Sequence, residues 1–149
     1  MERPSLKRSA MHFPVIATAF SLVFAAVPLA QAQPAGKVLQ VRIGTVSPLS
    51  GPSAHAGKDI ENGARMAIDD LNAKGIVLGG SKVQWVLQPE DDAADPRTGT
   101  TVAQKLVDAK VAAVVGHLNS GTTVPASKIY ANAGIPQISP AATTPVYTN

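Results

Sequence analysis

Residues 116–123 read Gly-His-Leu-Asn-Ser-Gly-Thr-Thr, which puts an imidazole and three hydroxyls within eight positions. Two chemistries use such a set. A nucleophilic Ser120 would need the Gly-x-Ser-x-Gly elbow, which throws the hydroxyl clear of a sharp turn. Leu118 stands two residues before Ser120 and Thr122 two after it, and His117 is too local to complete a triad. Non-covalent capture of an anion is the better match. The segment follows an apolar run and leads into a helix, so free backbone N–H groups and the helix dipole favour a negative group there. Ser120, Thr122 and Thr123 add hydroxyls, and each hydrogen bond to a carboxylate is worth about 1.5–3 kcal/mol. A second stretch, Ser-Pro-Ala-Ala-Thr-Thr-Pro at 139–145, offers carbonyls and the Thr143 and Thr144 hydroxyls, which accept from an ammonium. Together the two suit a zwitterion, although two ordinary capped turns describe the same residue types.

Other constellations fall short. Gly51 and Gly57-Lys58 are separated by five residues where a phosphate-cradling loop has four, and Asp59 follows the lysine in place of Ser or Thr. Asp59 reads instead as a helix N-cap. Asp91, Asp92 and Asp95 lack the further oxygen ligands and terminal Glu of a calcium loop, and read as a solvated turn plus an N-cap. With His12, His55 and His117 scattered and no Cys, there is no zinc set. The expectation is a protein with no metal, no cofactor and no catalytic residue.

The elements that must position these residues alternate. Leu39, Val41 and Ile43 alternate with Gln40 and Arg42, and Val83, Trp85 and Leu87 do likewise, as strands do. Ile60, Ala64, Ala67, Ile68 and Leu71 fall at helical spacing, with Gly75 as the stop. Asp95 caps a second helix and Pro96 opens it. Residues 111–115, Val-Ala-Ala-Val-Val, have no polar face, as in a buried central strand. A third helix is expected after the loop 116–123, with Pro125 in its first turn and Gly134 ending it, then a strand over 135–139. This order predicts an α/β fold with a parallel sheet flanked by helices and right-handed crossovers. Ligands of such sheets bind beyond the carboxyl ends of the strands, where 116–123 and 139–145 both lie.

The chain has 149 residues, which suits one domain, and a formal charge of +3. Arg3, Lys7 and Arg8 against Glu2 supply +2 of it, and ten basic against nine acidic residues leave the rest near neutral. That gives no basic patch for nucleic acid. The head Met-Glu-Arg-Pro-Ser-Leu-Lys-Arg, the uncharged apolar run 13–30 and Ala30-Gln31-Ala32 form the pattern of a signal peptide cleaved after Ala32. Pro14 and Pro28 argue against a membrane anchor, and no Cys marks a lipoprotein. The mature chain from 33 is expected to be exported to a bacterial periplasm, without stable membrane insertion.

Residues 47–75, the Asp-Asp-Ala-Ala-Asp-Pro at 91–96, 114–136 and 139–145, in this order and spacing, resemble the N-terminal lobe of the periplasmic leucine/isoleucine/valine-binding proteins. These are substrate-binding components of ABC transporters, with two type I periplasmic-binding-protein lobes that close on the ligand and deliver it to permease subunits. The resemblance implies that 33–149 is the first lobe, that a second lobe lies outside this sequence, and that leucine, isoleucine, valine or a related amino acid is the ligand. By itself the lobe would bind leucine weakly or not at all. It implies that the Ser120 hydroxyl and N–H and the Thr143 N–H hold the α-carboxylate. The Ala141 carbonyl and the Thr143 hydroxyl would take the ammonium, and the family's acidic counter-residue falls outside the sequence. Ala56, Gly121 and Thr122 are further pocket-lining positions. Ala94 and Asn119 stand where relatives carry a disulfide, and Ala56 where they can carry an aromatic residue, which leaves room for a different side chain. A sensor of amides or other small polar solutes, and an exported α/β hydrolase, are the alternative readings.

Overall fold

Alternation along Val38–Ser47 builds strand β1, and a computed structural model describes the chain over residues 36–148. The expected leader 1–32, its cleavage after Ala32 and residues 33–35 lie outside the described residues. Beyond β1 the elements are α1 (Ala54–Ala73), β2 (Val77–Leu78), β3 (Ser81–Asp91), α2 (Pro96–Asp108), β4 (Ala113–Gly116), α3 (Ser120–Asn132) and β5 (Gln137–Ile138), followed by a 3-10 turn, Pro145–Tyr147.

The five strands form one sheet in the order β2-β3-β1-β4-β5. β1 pairs in parallel with β3 from Val38↔Lys82 to Ser47↔Asp91, and with β4 from Ile43↔Ala113 to Val46↔Gly116. β4 and β5 are parallel too. The sheet departs from the expected all-parallel form at one edge, where β2 pairs antiparallel with β3. Gly79 and Gly80, at φ +56° and +78°, make the two-residue turn between them, a conformation that only glycine adopts without strain.

The helices lie on both faces. Val46 and Val114 of the sheet pack with Val102, Ala103 and Leu106 of α2 and with Ala126 and Tyr130 of α3, all buried. α1 covers the opposite face, where Ala64, Ile68, Leu71, Ile43, Trp85 and Val115 border an apolar cleft of about 230 Å³. No helix among the described residues is long and apolar enough to cross a membrane.

Two helix starts differ from expectation. α1 begins at Ala54 with Ser53 as N-cap, so Asp59 lies inside the helix and not at its cap. Its first turn forms early because Gly57 lets the helix settle directly on β1's exit. A Cβ on Gly57 would stand 1.9 Å from the Pro48 carbonyl oxygen, and Ser47 Oγ donates to the Gly57 carbonyl at 2.9 Å. α3 begins at Ser120, so Pro125 sits within the helix and not in its first turn. The Asn119 carbonyl nucleates that start, accepting from the N–H groups of Thr122 and Thr123 at 3.1 and 2.9 Å and from both their hydroxyls at 2.9 and 2.8 Å. α2 starts as its sequence dictates: Asp95 Oδ1 accepts from the Arg97 and Thr98 N–H groups at 3.0 and 2.8 Å, ahead of Pro96.

Candidate functional site

The chain runs from β1 to β3 on one side, then returns past β1 to β4 on the other. At such a reversal the loops diverge and leave a crevice at the carboxyl edge of the sheet. Four segments border that edge: 48–53, 92–95, 117–119 and 139–144. β4 leaves it through Gly116, whose φ is +135° and where a Cβ would stand 2.1 Å from the Val46 carbonyl oxygen. Only glycine lets the strand pass β1 so closely and still turn into α3.

Ser120 and Thr143, 23 residues apart in the chain, meet here: the Thr143 N–H donates to Ser120 Oγ at 3.3 Å. Ser120 is half-buried as the first residue of α3, and Thr143 is exposed. Because the Asn119 carbonyl engages the N–H groups of Thr122 and Thr123, those of Ser120 and Gly121 are the helix-end donors that face outward. α3 carries no acidic residue in its first turn to neutralise that end. The Ala141 N–H lies 3.4 Å from Ser139 Oγ, which also accepts from the Ala142 N–H at 2.9 Å. Among the described residues, neither the Ala141 carbonyl nor the Thr143 hydroxyl makes a hydrogen bond. Donors to an anion and acceptors for a cation thus sit side by side.

The remaining sequence candidates are dispersed. Gly121 is exposed over Pro96. Ala56 is half-buried in the first turn of α1, with no recorded hydrogen bond to the Ser120–Thr143 pair. Thr122 is fully buried toward α2, and capping takes the hydroxyl that the sequence reading offers to a ligand. Lys58 is not aimed at a phosphate cradle either: its Nζ bonds Glu61 at 2.7 Å.

Beneath the pair lies a layer that residue types did not reveal. Asp92 and His117 are both 0% exposed, which corrects the reading of Asp92 as part of a solvated turn. His117 Nδ1 stands 2.7 Å from Asp92 Oδ2, and its Nε2 lies 3.3 Å from the Tyr130 hydroxyl. The carboxylate only accepts, so Nδ1 carries the hydrogen between them. Burial, with the nearby Asp92 and Glu90 carboxylates, pushes the Tyr130 phenol far up, and it keeps its proton. Both ring nitrogens of His117 are occupied and Ser120 Oγ pairs with the Thr143 N–H, so His117 does not serve Ser120 as a base. The His117 carbonyl accepts from Ser139 Oγ at 2.7 Å and from Thr123 Oγ1 at 3.2 Å. Asp91 ties in the remaining segment, 48–53, its Oδ1 accepting from the Leu49 and Ala93 N–H groups at 2.8 Å each. Burial raises the Asp91 carboxyl, but hydrogen bonds from Ser50, Ala93 and Leu49 outweigh it and hold the group below its usual range.

A larger hollow of about 310 Å³ lies between α3 and the 3-10 turn, lined by Ser127, Ile135, Gln137 and Tyr147, away from Ser120 and Thr143.

Comparison with known proteins finds similar chains. A Leu/Ile/Val-binding protein of Rhizobium johnstonii is 41% identical over 128 residues, 86% of this chain and 32% of the relative. A Leu/Ile/Val-binding protein homologue of Brucella abortus is 44% identical over 108 residues, 72% of this chain and 28% of that one. In structure, a branched-chain amino acid transporter substrate-binding protein of Streptococcus pneumoniae, solved with isoleucine, superposes with a TM-score of 0.67. The two are 34% identical over 74% of this chain and 31% of that one. The chain spans about a third of the length of the curated relatives it matches. A family model of the periplasmic binding proteins matches residues 40–149, and the chain belongs to that family.

Proposed function

We propose that this chain forms the N-terminal lobe of an exported substrate-binding protein that delivers a branched-chain amino acid to an ABC transporter permease and catalyses no reaction. The observation that carries this is the meeting of Ser120 and Thr143 at the mouth of the crevice. In the free lobe the Thr143 N–H rests on Ser120 Oγ. A ligand carboxylate replaces that oxygen as acceptor, and the Ser120 hydroxyl turns to donate. The N–H groups of Ser120 and Gly121 add the helix-end donors. The ammonium lies against the Ala141 carbonyl and the Thr143 hydroxyl. Ala56 and Gly121 flank the ligand from this side, and cleavage after Ala32 frees the chain into the periplasm. The printed descriptions of relatives support the ligand class: Leu/Ile/Val-binding proteins and structures solved with isoleucine and leucine.

Calorimetric titration of the protein as its gene encodes it, with leucine, isoleucine, valine and benzoate, tests the reading. Structural relatives solved with benzoate and 3,4-dihydroxybenzoic acid motivate the last of these. Saturable heat with an aliphatic amino acid and none with benzoate supports it. Binding of benzoate alone would keep the carboxylate clamp and refute the ammonium site.

A further inference from the structure

The Ser120–Thr143 pair does not explain why an ionisable pair is sealed beneath it. Asp92 and His117 are fully buried, and apolar residues of the same volume commonly stabilise a core as well or better. Their connections show what else the pair does. Nδ1 of His117 ties the exit of β4 to the exit of β3 through Asp92 Oδ2 at 2.7 Å, and Asp92 Oδ1 accepts from the Ala94 N–H at 3.0 Å. With Nε2 on Tyr130, the ring cannot turn. The carbonyl of this same residue is the junction of the two halves of the clamp. It holds the first turn of α3, which starts at Ser120, through Thr123 Oγ1. It holds the segment carrying Ala141 and Thr143 through Ser139 Oγ, which in turn anchors the Ala142 N–H.

We propose that Asp92 and His117 are positioning residues for the ligand head group: the Asp92 carboxylate fixes the His117 ring so that the His117 carbonyl keeps Ser120 and Thr143 in register. The proposal rests on the head-group site described under the proposed function. A pair that served stability alone would lower the unfolding temperature when altered and leave the folded protein's affinity unchanged.

The test compares two amides at His117 in the protein as its gene encodes it. His117→Asn keeps an N–H where Nδ1 stood, whereas His117→Gln carries it out to the place of Nε2. Both lose the imidazole and its packing. Under conditions where circular dichroism shows each variant folded, His117→Asn should keep leucine affinity within about threefold of the unaltered protein, while His117→Gln and Asp92→Ala lose about tenfold or more. The Thr143 amide resonance of the ligand-free protein should move in His117→Gln and Asp92→Ala and stay in place in His117→Asn. Equal losses in the two amide variants, or unaltered affinity in His117→Gln, overturn the proposal. If the unaltered protein binds none of the three amino acids, the head-group reading fails, and the Thr143 resonance decides the positioning claim alone: unmoved in His117→Gln, it sinks it. If either His117 variant does not fold, Ser139→Ala cuts the carbonyl link with the ring in place. It should move the Thr143 resonance, and no movement overturns the proposal.

Discussion

Replacing Ser120 by Ala separates binding from folding. In the free lobe the hydroxyl oxygen accepts one hydrogen bond, from the Thr143 N–H at 3.3 Å, near the long limit, at a half-buried position. Such a bond contributes about 0.5 kcal/mol, the low end for neutral pairs. Alanine is the better helix former by a similar margin of about 0.5 kcal/mol. The two offset, and the unfolding temperature of the ligand-free protein should barely move. The proposed ligand complex differs, because there the hydroxyl would donate to a carboxylate. Loss of a hydrogen bond to a charged group costs about 1.5–3 kcal/mol, which is about 10- to 150-fold in Kd. Leucine titration by calorimetry, paired with a thermal melt without ligand, reads both quantities. Ser120→Thr, which keeps the hydroxyl, should fall between Ser120→Ala and the unaltered protein. A Kd for Ser120→Ala within about twofold of the unaltered protein, or an affinity loss that tracks a fall in melting temperature, would refute the reasoning.

Other perturbations act on the scaffold. Gly57→Ala drives a Cβ to 1.9 Å from the Pro48 carbonyl oxygen, so the start of α1 must shift off β1; urea unfolding should show a loss of about 1–3 kcal/mol or more. Leu106→Ala empties the centre of the α2–α3 core, where Leu106 is fully buried, and should cost about 2–5 kcal/mol by the same assay. Acid should weaken the fold through Glu61. Hydrogen bonds from Lys58 first and Arg65 second, against the opposing pull of burial, hold its carboxyl below the usual 4.5. Its folded pKa is thus lower than its unfolded one. The stabilisation is fully present above the unfolded value and fades as pH falls through the folded value. Urea midpoints measured from about pH 6 to about pH 3 should decline less steeply in Glu61→Gln than in the unaltered protein.

The parts of the fold that a local pattern specifies were readable in the sequence. Period-two alternation located β1 and β3, and Asp95-Pro96 located the start of α2 to the residue. β2 was missed because two residues carry no periodicity, and the only trace of it was Gly79-Gly80. Pro125 argues for a first turn and so points to a later start for α3 than Ser120. The helix accepts Pro125 further in because the Asn119 carbonyl already gathers four donors and anchors the opening turn. At the site, residue types offered anion and ammonium capture, but only the family resemblance singled out Ser120, Ala141 and Thr143.

The burial of Asp92 and His117 escapes a local pattern for a different reason. An Asp-rich turn read from its neighbours is solvated, and a His three residues from a Ser invites comparison with that Ser. What buries both is register across β1. Val46 stands level with Glu90 on one side and with Gly116 on the other. Asp92 and His117 therefore emerge just past the ends of the two strands that flank β1, and their side chains close over its exit at 2.7 Å. Neither residue carries that information alone; the length of β1 measures it out. The residue types of a local turn suggest what kind of group it could hold. Residues that hold such turns together are found only once the strands are aligned, because their partners lie one loop away along the sheet edge and 25 residues away in the chain.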